Sequence, residues 1–310
     1  MRYLGIDVGG TNLKGAVVTE NGEILKEASC PTHADRGADA VADAISTLIL
    51  DLTCGEEIVG VGVGCPGTVD DERGEVIYSC NLNWIHYPLR EKLKERTGYT
   101  VKLGNDANVA ALGEALVGAA KGAQSAVILT LGTGVGGGVV IDGKLLQGYT
   151  GAASELGHMV IVDGGRKCGC GRMGCFEAYA SAEALSRMTR EAMAQHPESQ
   201  MHRLAADYGA VDGRVAFDAQ AAGDAAGDAV VRQYIHYLAV GVANIVNLFF
   251  PEVIAISGGV AKQGERLLAP LRQEVSALEY GAAYTVKHPR IVGCTLGYQA
   301  GVIGAALLAK

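Results

Sequence analysis

Aromatic side chains are scarce in this 310-residue chain: 5% of the total, with one Trp and four Phe. Large rings therefore cannot fill its interior. The 44 glycines, with abundant Ala and Val, point instead to an α/β protein whose backbones pack closely around Gly-shaped loops. Basic charge is also in short supply. A formal net charge of −8, with no dense cluster of Lys and Arg, speaks against a nucleic-acid partner. No apolar run is long enough to span a bilayer, and MRYLGIDVGG enters strand-like sequence without a charged and apolar leader. The expectation is a cytoplasmic protein with no membrane partner. In a reducing compartment its eight cysteines read as thiols or metal ligands rather than disulfides. The length exceeds the usual size of one hydrophobic core and predicts two domains.

RYLGIDVG, LKGAVVT and GEILKEAS read as strands joined at Gly9-Gly10 and at the Asn21-Gly22 turn. A helix over ADAVADAISTLILDL, a buried strand in EIVGVGVGCPG, a charged helix in REKLKERTG, a strand in VKLGND and a helix over ANVAALGEALVGAAKG follow. SAVILTLGTGVGGGVVIDGKLLQG then repeats the opening order of strand, Gly turn, strand, turn and strand, which predicts an internal structural duplication. Ala-rich stretches at 181–207 and 216–250 read as helices, with a loop at 209–213 between them. PEVIAISGGVA reads as strand plus Gly turn, and GYQAGVIGAALLAK as a closing helix.

Three Gly turns follow buried strands: Asp7 to Thr11, Gly132 to Gly136 and Ser257 to Gly259. No Gly-Lys-Ser/Thr closes a Walker A loop, and no GxGxxG opens a helix. Glycine nevertheless lets backbone N–H groups approach an anion, and Thr11 and Thr133 add hydroxyl donors. Asp7 at a strand end is either a turn cap or a group that faces hydrated Mg²⁺. Asp106, where a strand passes into a helix, is either an N-cap or a general base. Cys168, Cys170 and Cys175 in CGCGRMGCFE have a spacing suited to one ion on a Gly-rich loop, and His158 is the nearest imidazole. Together they make a tetrahedral Cys₃His zinc set. Cys30, Cys54, Cys65, Cys80 and Cys294 read as small core fillers, and Trp84 as a core anchor.

DVGGTNLKGAVV, GVGCPGTVD, NLNW, GNDANVAALGE and above all LGTGVGGGVVIDGKLLQGYTGAASELGHMVI with CGCGRMGCFEAYAS resemble the ROK family of sugar kinases and repressors over the whole chain. The resemblance implies a two-lobed actin-like ATPase (ribonuclease H-like) α/β fold with duplicated lobes and a central cleft. Residues 1–119, joined by a closing helix at 298–310, would form the small lobe, and 120–297 the large lobe with the zinc loop. It implies that Asp106 takes the proton from a sugar hydroxyl, and that Asn81, Asn105, Glu155, His158 and Glu177 contact the sugar. Asp7, Gly9, Gly10, Thr11, Lys14, Gly132, Thr133, Gly134, Gly258 and Gly259 fall where the family holds ATP and Mg²⁺. His158, Cys168, Cys170 and Cys175 are the likeness's structural zinc ligands.

The implied activity is ATP-dependent phosphorylation of a hexose, glucose to glucose 6-phosphate first, by a homodimer. The alternatives are a kinase for fructose, mannose, allose or an N-acetylhexosamine, and a sugar-sensing regulator. A repressor needs a DNA-binding module ahead of the phosphate strand, for which this sequence leaves no room. Polyphosphate or ADP stands as an alternative phosphoryl donor. Two departures from the family pattern, Ser154 before Glu155 and a shortened NLNW loop, bear on which sugar is taken.

Overall fold

The computed structural model describes residues 1–149, 151–284 and 287–310, so Thr150 of the signature segment lies outside the described residues. Strands β1 (Arg2–Val8), β2 (Asn12–Thr19) and β3 (Ile24–Pro31) form an antiparallel meander, and α1 (Ala38–Thr53) leads to β4 (Gly60–Cys65), parallel to β1. Three short antiparallel strands follow, β5 (Thr68–Asp70), β6 (Glu75–Ser79) and β7 (Trp84–Tyr87). Then come α2 (Leu89–Thr97), β8 (Val101–Asn105) and α3 (Asp106–Leu116), and a second meander of β9 (Ser125–Leu131), β10 (Val135–Ile141) and β11 (Lys144–Leu145). Helices α4 (Glu177–Ala180), α5 (Ala182–Gln195), α6 (Met201–Tyr208), α7 (Gly213–Ala221) and α8 (Ala225–Phe249) precede β12 (Val253–Gly258). After it come α9 (Glu265–Leu278), β13 (Arg290–Gly293) and α10 (Ala300–Leu308).

The two larger sheets have the orders β3-β2-β1-β4-β8 and β11-β10-β9-β12-β13. Counted within each sheet, the order is the same, 3-2-1-4-5, which is the duplication expected from the paired Gly-turn segments. The chain divides into two compact units. One comprises Met1–Ala126, Gly138–Ser154 and Cys294–Lys310, the other Val127–Gly137 and Glu155–Gly293. The excursion of 138–154 into the first unit had no sequence signal.

In the first unit, α1 lays Val41, Ile45, Leu48, Ile49 and Leu52 on one face of the sheet, against Leu4, Ile6, Val8, Leu13 and Val17. Each such side chain contributes about 1.5–3 kcal/mol on burial. The other face takes α10, and here the packing is of backbone on backbone. A Cβ at Gly5 would stand 2.0 Å from the Val302 carbonyl oxygen, one at Gly62 1.9 Å from that of Ala305, and one at Gly304 1.6 Å from that of Val109 on α3. Glycine is what lets α10 seat between the sheet and α3. Glu114 on α3 then ties that helix to the segment just before α10. Its buried carboxylate accepts the N–H groups of Ala119 (2.8 Å), Thr295 (3.0 Å) and Leu296 (2.7 Å).

Several expected elements are shorter than the sequence pattern suggests. The 181–207 stretch breaks after Gln195, where His196-Pro197 ends the helix because the residue before Pro resists helical backbone. The 216–250 stretch breaks at 222–224. Asp224 caps α8 through the Gly227 N–H (2.8 Å) and also accepts from Gln200 N–H (2.7 Å), so tertiary contacts use the break. The 209–213 loop is present, between Tyr208 and Gly213. The β5–β7 sheet carried no strong alternation and was missed. Trp84 is a fully buried anchor, its ring tilted 35° against that of Tyr87 with centroids 4.8 Å apart, but Cys54 and Cys80 are exposed and so are not core fillers. Among the described residues no helix is long and apolar enough to cross a membrane.

Candidate active site

Strand register assembles the first group of residues. Asp7 on β1 pairs with Gly64 on β4, Gly64 with Gly104 on β8, and Cys65 with Asn105, so the carboxyl ends of three parallel strands stand side by side. Because Ile6 and Val8 face α1, the strand's alternation turns Asp7 to the α10 face. There its carboxylate lies against the first turn of α10, with Oδ2 2.7 Å from where a Cβ on Gly301 would be. Burial raises the Asp7 carboxyl above the ordinary aspartate value, and Lys14, its register partner on β2, opposes that. Lys14 Nζ stands 5.4 Å from the Tyr298 ring centroid.

The turn beyond β1 is held by Gly9 N–H to the Asn12 carbonyl (3.1 Å), Thr32 Oγ1 to the Gly9 carbonyl (2.6 Å) and Thr32 N–H to the Thr11 carbonyl (2.9 Å). Asn81 comes up to it, its Cβ 4.0 Å from the Cβ position of Gly10.

The N-cap of α3 is Asn105, not Asp106: its Oδ1 accepts the Asn108 N–H at 3.1 Å. Asp106 is the first helical residue, and its Oδ1 accepts from Ala107 N–H (2.8 Å) and Asn105 Nδ2 (3.0 Å), while the same Nδ2 donates to the Gly67 carbonyl (2.9 Å). Burial raises the Asp106 carboxyl, with the charge of Asp7 adding to it and the two hydrogen bonds opposing it. Two half-buried carboxylates, both raised, therefore stand in this group, and the charge of Asp7 is felt at Asp106. Cys65 lies among them, its thiol pushed up by burial and then by Asp106 and Asp7. Sequence spacing did not single it out, since only the β4–β8 pairing puts it there.

In the second unit, Gly132 N–H donates to the Gly134 carbonyl (3.0 Å), which closes a tight turn around Thr133. Gly258, at φ 93°, holds its α carbon so near the Leu131 carbonyl that a Cβ would lie 2.3 Å from the oxygen. Gly259 lines a cavity of about 590 Å³ together with Ser186, Gly213, Arg214, Val260 and Gln263. These partners come from α5, α7 and the turn after β12. No sequence spacing connects them.

Ser154 has φ 67°, a left-handed backbone that glycine adopts more readily than serine. Glu155, exposed, precedes the short 3₁₀ turn Leu156–His158. His158 Nδ1 lies 3.7 Å from Cys168 Sγ, Cys170 Sγ lies 3.7 Å from Cys175 Sγ, and all four ligand atoms fall within 4.8 Å of one another. Four ligands around Zn²⁺ at bond lengths of about 2.3 Å to sulfur form a tetrahedron with edges of about 3.8 Å, so the cluster fits the ion. Glu177 sits beside it, Oε1 3.3 Å from Cys168 Sγ and Oε2 accepting the Val135 N–H at 3.1 Å.

A model of the ROK family matches residues 3–310. The chain is 39% identical to the glucokinase of Halalkalibacterium halodurans over 99% of its own length and 94% of that protein's. It is 40% identical to the glucokinase of Thermotoga maritima, covering 100% of this chain and 98% of the other. The crystal structure of a ROK family glucokinase from Streptomyces griseus in complex with glucose and AMPPNP superposes with a TM-score of 0.81 at 36% identity, over 100% and 99% of the two chains.

Proposed function

This chain belongs to the ROK family, and we propose that it is an ATP-dependent glucokinase that phosphorylates glucose to glucose 6-phosphate. The observation that carries this reading is similarity along the full chain to glucokinases, one of them crystallised with glucose and a nucleotide analogue. Phosphoryl transfer asks a protein for positioning, charge neutralisation and one base for the hydroxyl proton. Asp106 is that base. Asn105 and Ala107 hold its Oδ1, which fixes the carboxylate's direction, and its raised pKa brings it closer to neutrality as a proton acceptor.

Asn81, Asn105, Glu155, His158 and Glu177 hold the sugar, since carboxylates and amides satisfy hydroxyls both as donors and as acceptors. The turns at Gly9, Gly10 and Thr11, at Gly132, Thr133 and Gly134, and at Gly258 and Gly259 present backbone N–H groups to the phosphates of ATP, with Lys14 on the Asp7 side. The cavity beside Gly259 has the size for the base and ribose. Asp7 faces Mg²⁺, which would neutralise phosphate charge. His158, Cys168, Cys170 and Cys175 hold a structural Zn²⁺ that ties the loop down. With Nδ1 turned to the metal cluster, His158 keeps Nε2 for a sugar hydroxyl. The expected assembly is a homodimer, and sedimentation of the purified chain tests it.

The deciding assay is phosphorylation across a hexose panel with ATP, ADP and polyphosphate as donors, with Asp106→Asn as control. Glucose with ATP should give the highest kcat/KM. A preference for another hexose would move the reading to that sugar, and no turnover with any pair would end it.

A further inference from the structure

We propose that the metal loop braces the glycine turn Gly132–Gly134 through Glu177, which acts as a positioning residue for the phosphates of the nucleotide. This rests on the reading of that turn as a phosphate site. Glu177 lies directly under the turn: its Oε2 accepts the Val135 N–H at 3.1 Å, and a Cβ on Gly134 would stand only 2.1 Å from the same oxygen. Its Oε1 is 3.3 Å from Cys168 Sγ, so one carboxylate touches both the turn and a metal ligand. Two further contacts join the same parts independently. Ala182, just past α4, donates its N–H to the Gly132 carbonyl at 2.8 Å, and α4 itself starts two residues after Cys175. On the imidazole side, Gly157 packs so closely that a Cβ there would lie 2.0 Å from the Val135 carbonyl oxygen.

The His158 arm thus packs on Val135, while the segment after the cysteines holds Gly132, Gly134 and Val135. Backbone N–H groups bind a phosphate well only when their directions are set before the ligand arrives, because any ordering left to be done at binding is subtracted from affinity. A loop cross-linked by metal supplies that rigidity. Loss of the metal therefore weakens nucleotide binding even with no sugar present, an effect separate from any damage to the sugar contacts.

The test is calorimetric titration of Mg²⁺-AMPPNP, without sugar, into the zinc-loaded full chain, Glu177→Ala, Glu177→Gln, and the chain stripped of zinc by chelation with Mg²⁺ restored. Glu177→Ala and the stripped chain should each bind roughly tenfold more weakly. Glu177→Gln, whose amide oxygen still accepts the Val135 N–H, should stay within about threefold, and a charge effect on the sugar side is silent in this assay. Hydrogen exchange at the Val135 amide should quicken in Glu177→Ala and after stripping. Equal affinity in folded Glu177→Ala and in the parent overturns the brace; if that variant does not fold, equal affinity in the stripped chain does so. If the zinc-loaded parent binds no nucleotide, the phosphate-site reading has failed, and unchanged Val135 exchange after stripping would then dispose of the brace as well.

Discussion

The two units hold their candidate residues by different means. In the first, Asp7, Asn105 and Asp106 stand at the ends of parallel strands, and their places follow from the β1–β4–β8 register and from glycines that let α10 lie on the sheet. In the second, His158, Cys168, Cys170 and Cys175 stand on a segment with little regular structure, held by a short 3₁₀ turn, the isolated bridges Val160–Cys175 and Lys167–Met173 and scattered backbone hydrogen bonds, and Glu177 opens the one-turn helix α4 that follows. A sheet edge fixes a side chain through many cooperative backbone bonds, whereas a loop needs a cross-link, here four convergent ligands. The first arrangement should therefore be insensitive to metal, and the second dependent on it.

The largest effect expected is on the chemical step: Asp106→Asn should lower kcat by roughly 10²–10⁴-fold while sugar and nucleotide still bind, as single-turnover and equilibrium binding measurements will register. Removing the metal comes next. Cys175→Ser should abolish zinc binding and lower stability by roughly 4 kcal/mol, with faster hydrogen exchange confined to residues 155–182 and the turn 132–135 and unchanged protection in α3 and α10. Loss of protection in α3 would break the comparison.

In the first unit, Glu114→Ala leaves three part-buried N–H donors without their carboxylate and should cost roughly 2 kcal/mol in denaturant melts. Gly304→Ala, with no room beside Val109, should cost about 2 kcal/mol, and neither substitution should alter zinc content.

The smallest effect concerns pH. Because the folded state raises the Asp106 pKa, mainly through burial, the stability tied to its protonated form is present below the unfolded value and is lost as pH rises through the folded one. Asp106→Asn should thus be more stable than the parent at neutral pH, by ~1 kcal/mol, with the difference closing below about pH 4. On the same grounds, turnover of the parent should fall on acidification at a pH above the ordinary aspartate range. An acid limb at the ordinary value would refute the burial of that carboxylate.

Much of this was legible in the amino-acid order. The meanders, the duplicated Gly turns and the metal spacing are local patterns, and each reports a backbone or ligand requirement within a few tens of residues. Asp106 was legible only as an alternative between cap and base. The side chain that caps the helix, Asn105, differs from it by one position, and one residue is below what spacing resolves. The break after Gln195 follows from Pro197, but at 222–224 Asp224 reaches Gln200, a contact no helical periodicity encodes.

By itself, then, the sequence determined the fold class, the grouping of His158 with Cys168, Cys170 and Cys175, and the Gly turns, because each is a property of neighbours along the chain. Only the tertiary structure decided that Cys65 sits between two raised carboxylates, that Glu114 fastens α3 to the segment before α10, and that Glu177 carries the turn at Val135. Those are contacts between residues far apart in the chain. They are set by strand register and by how closely glycine lets one backbone approach another, neither of which any single segment contains.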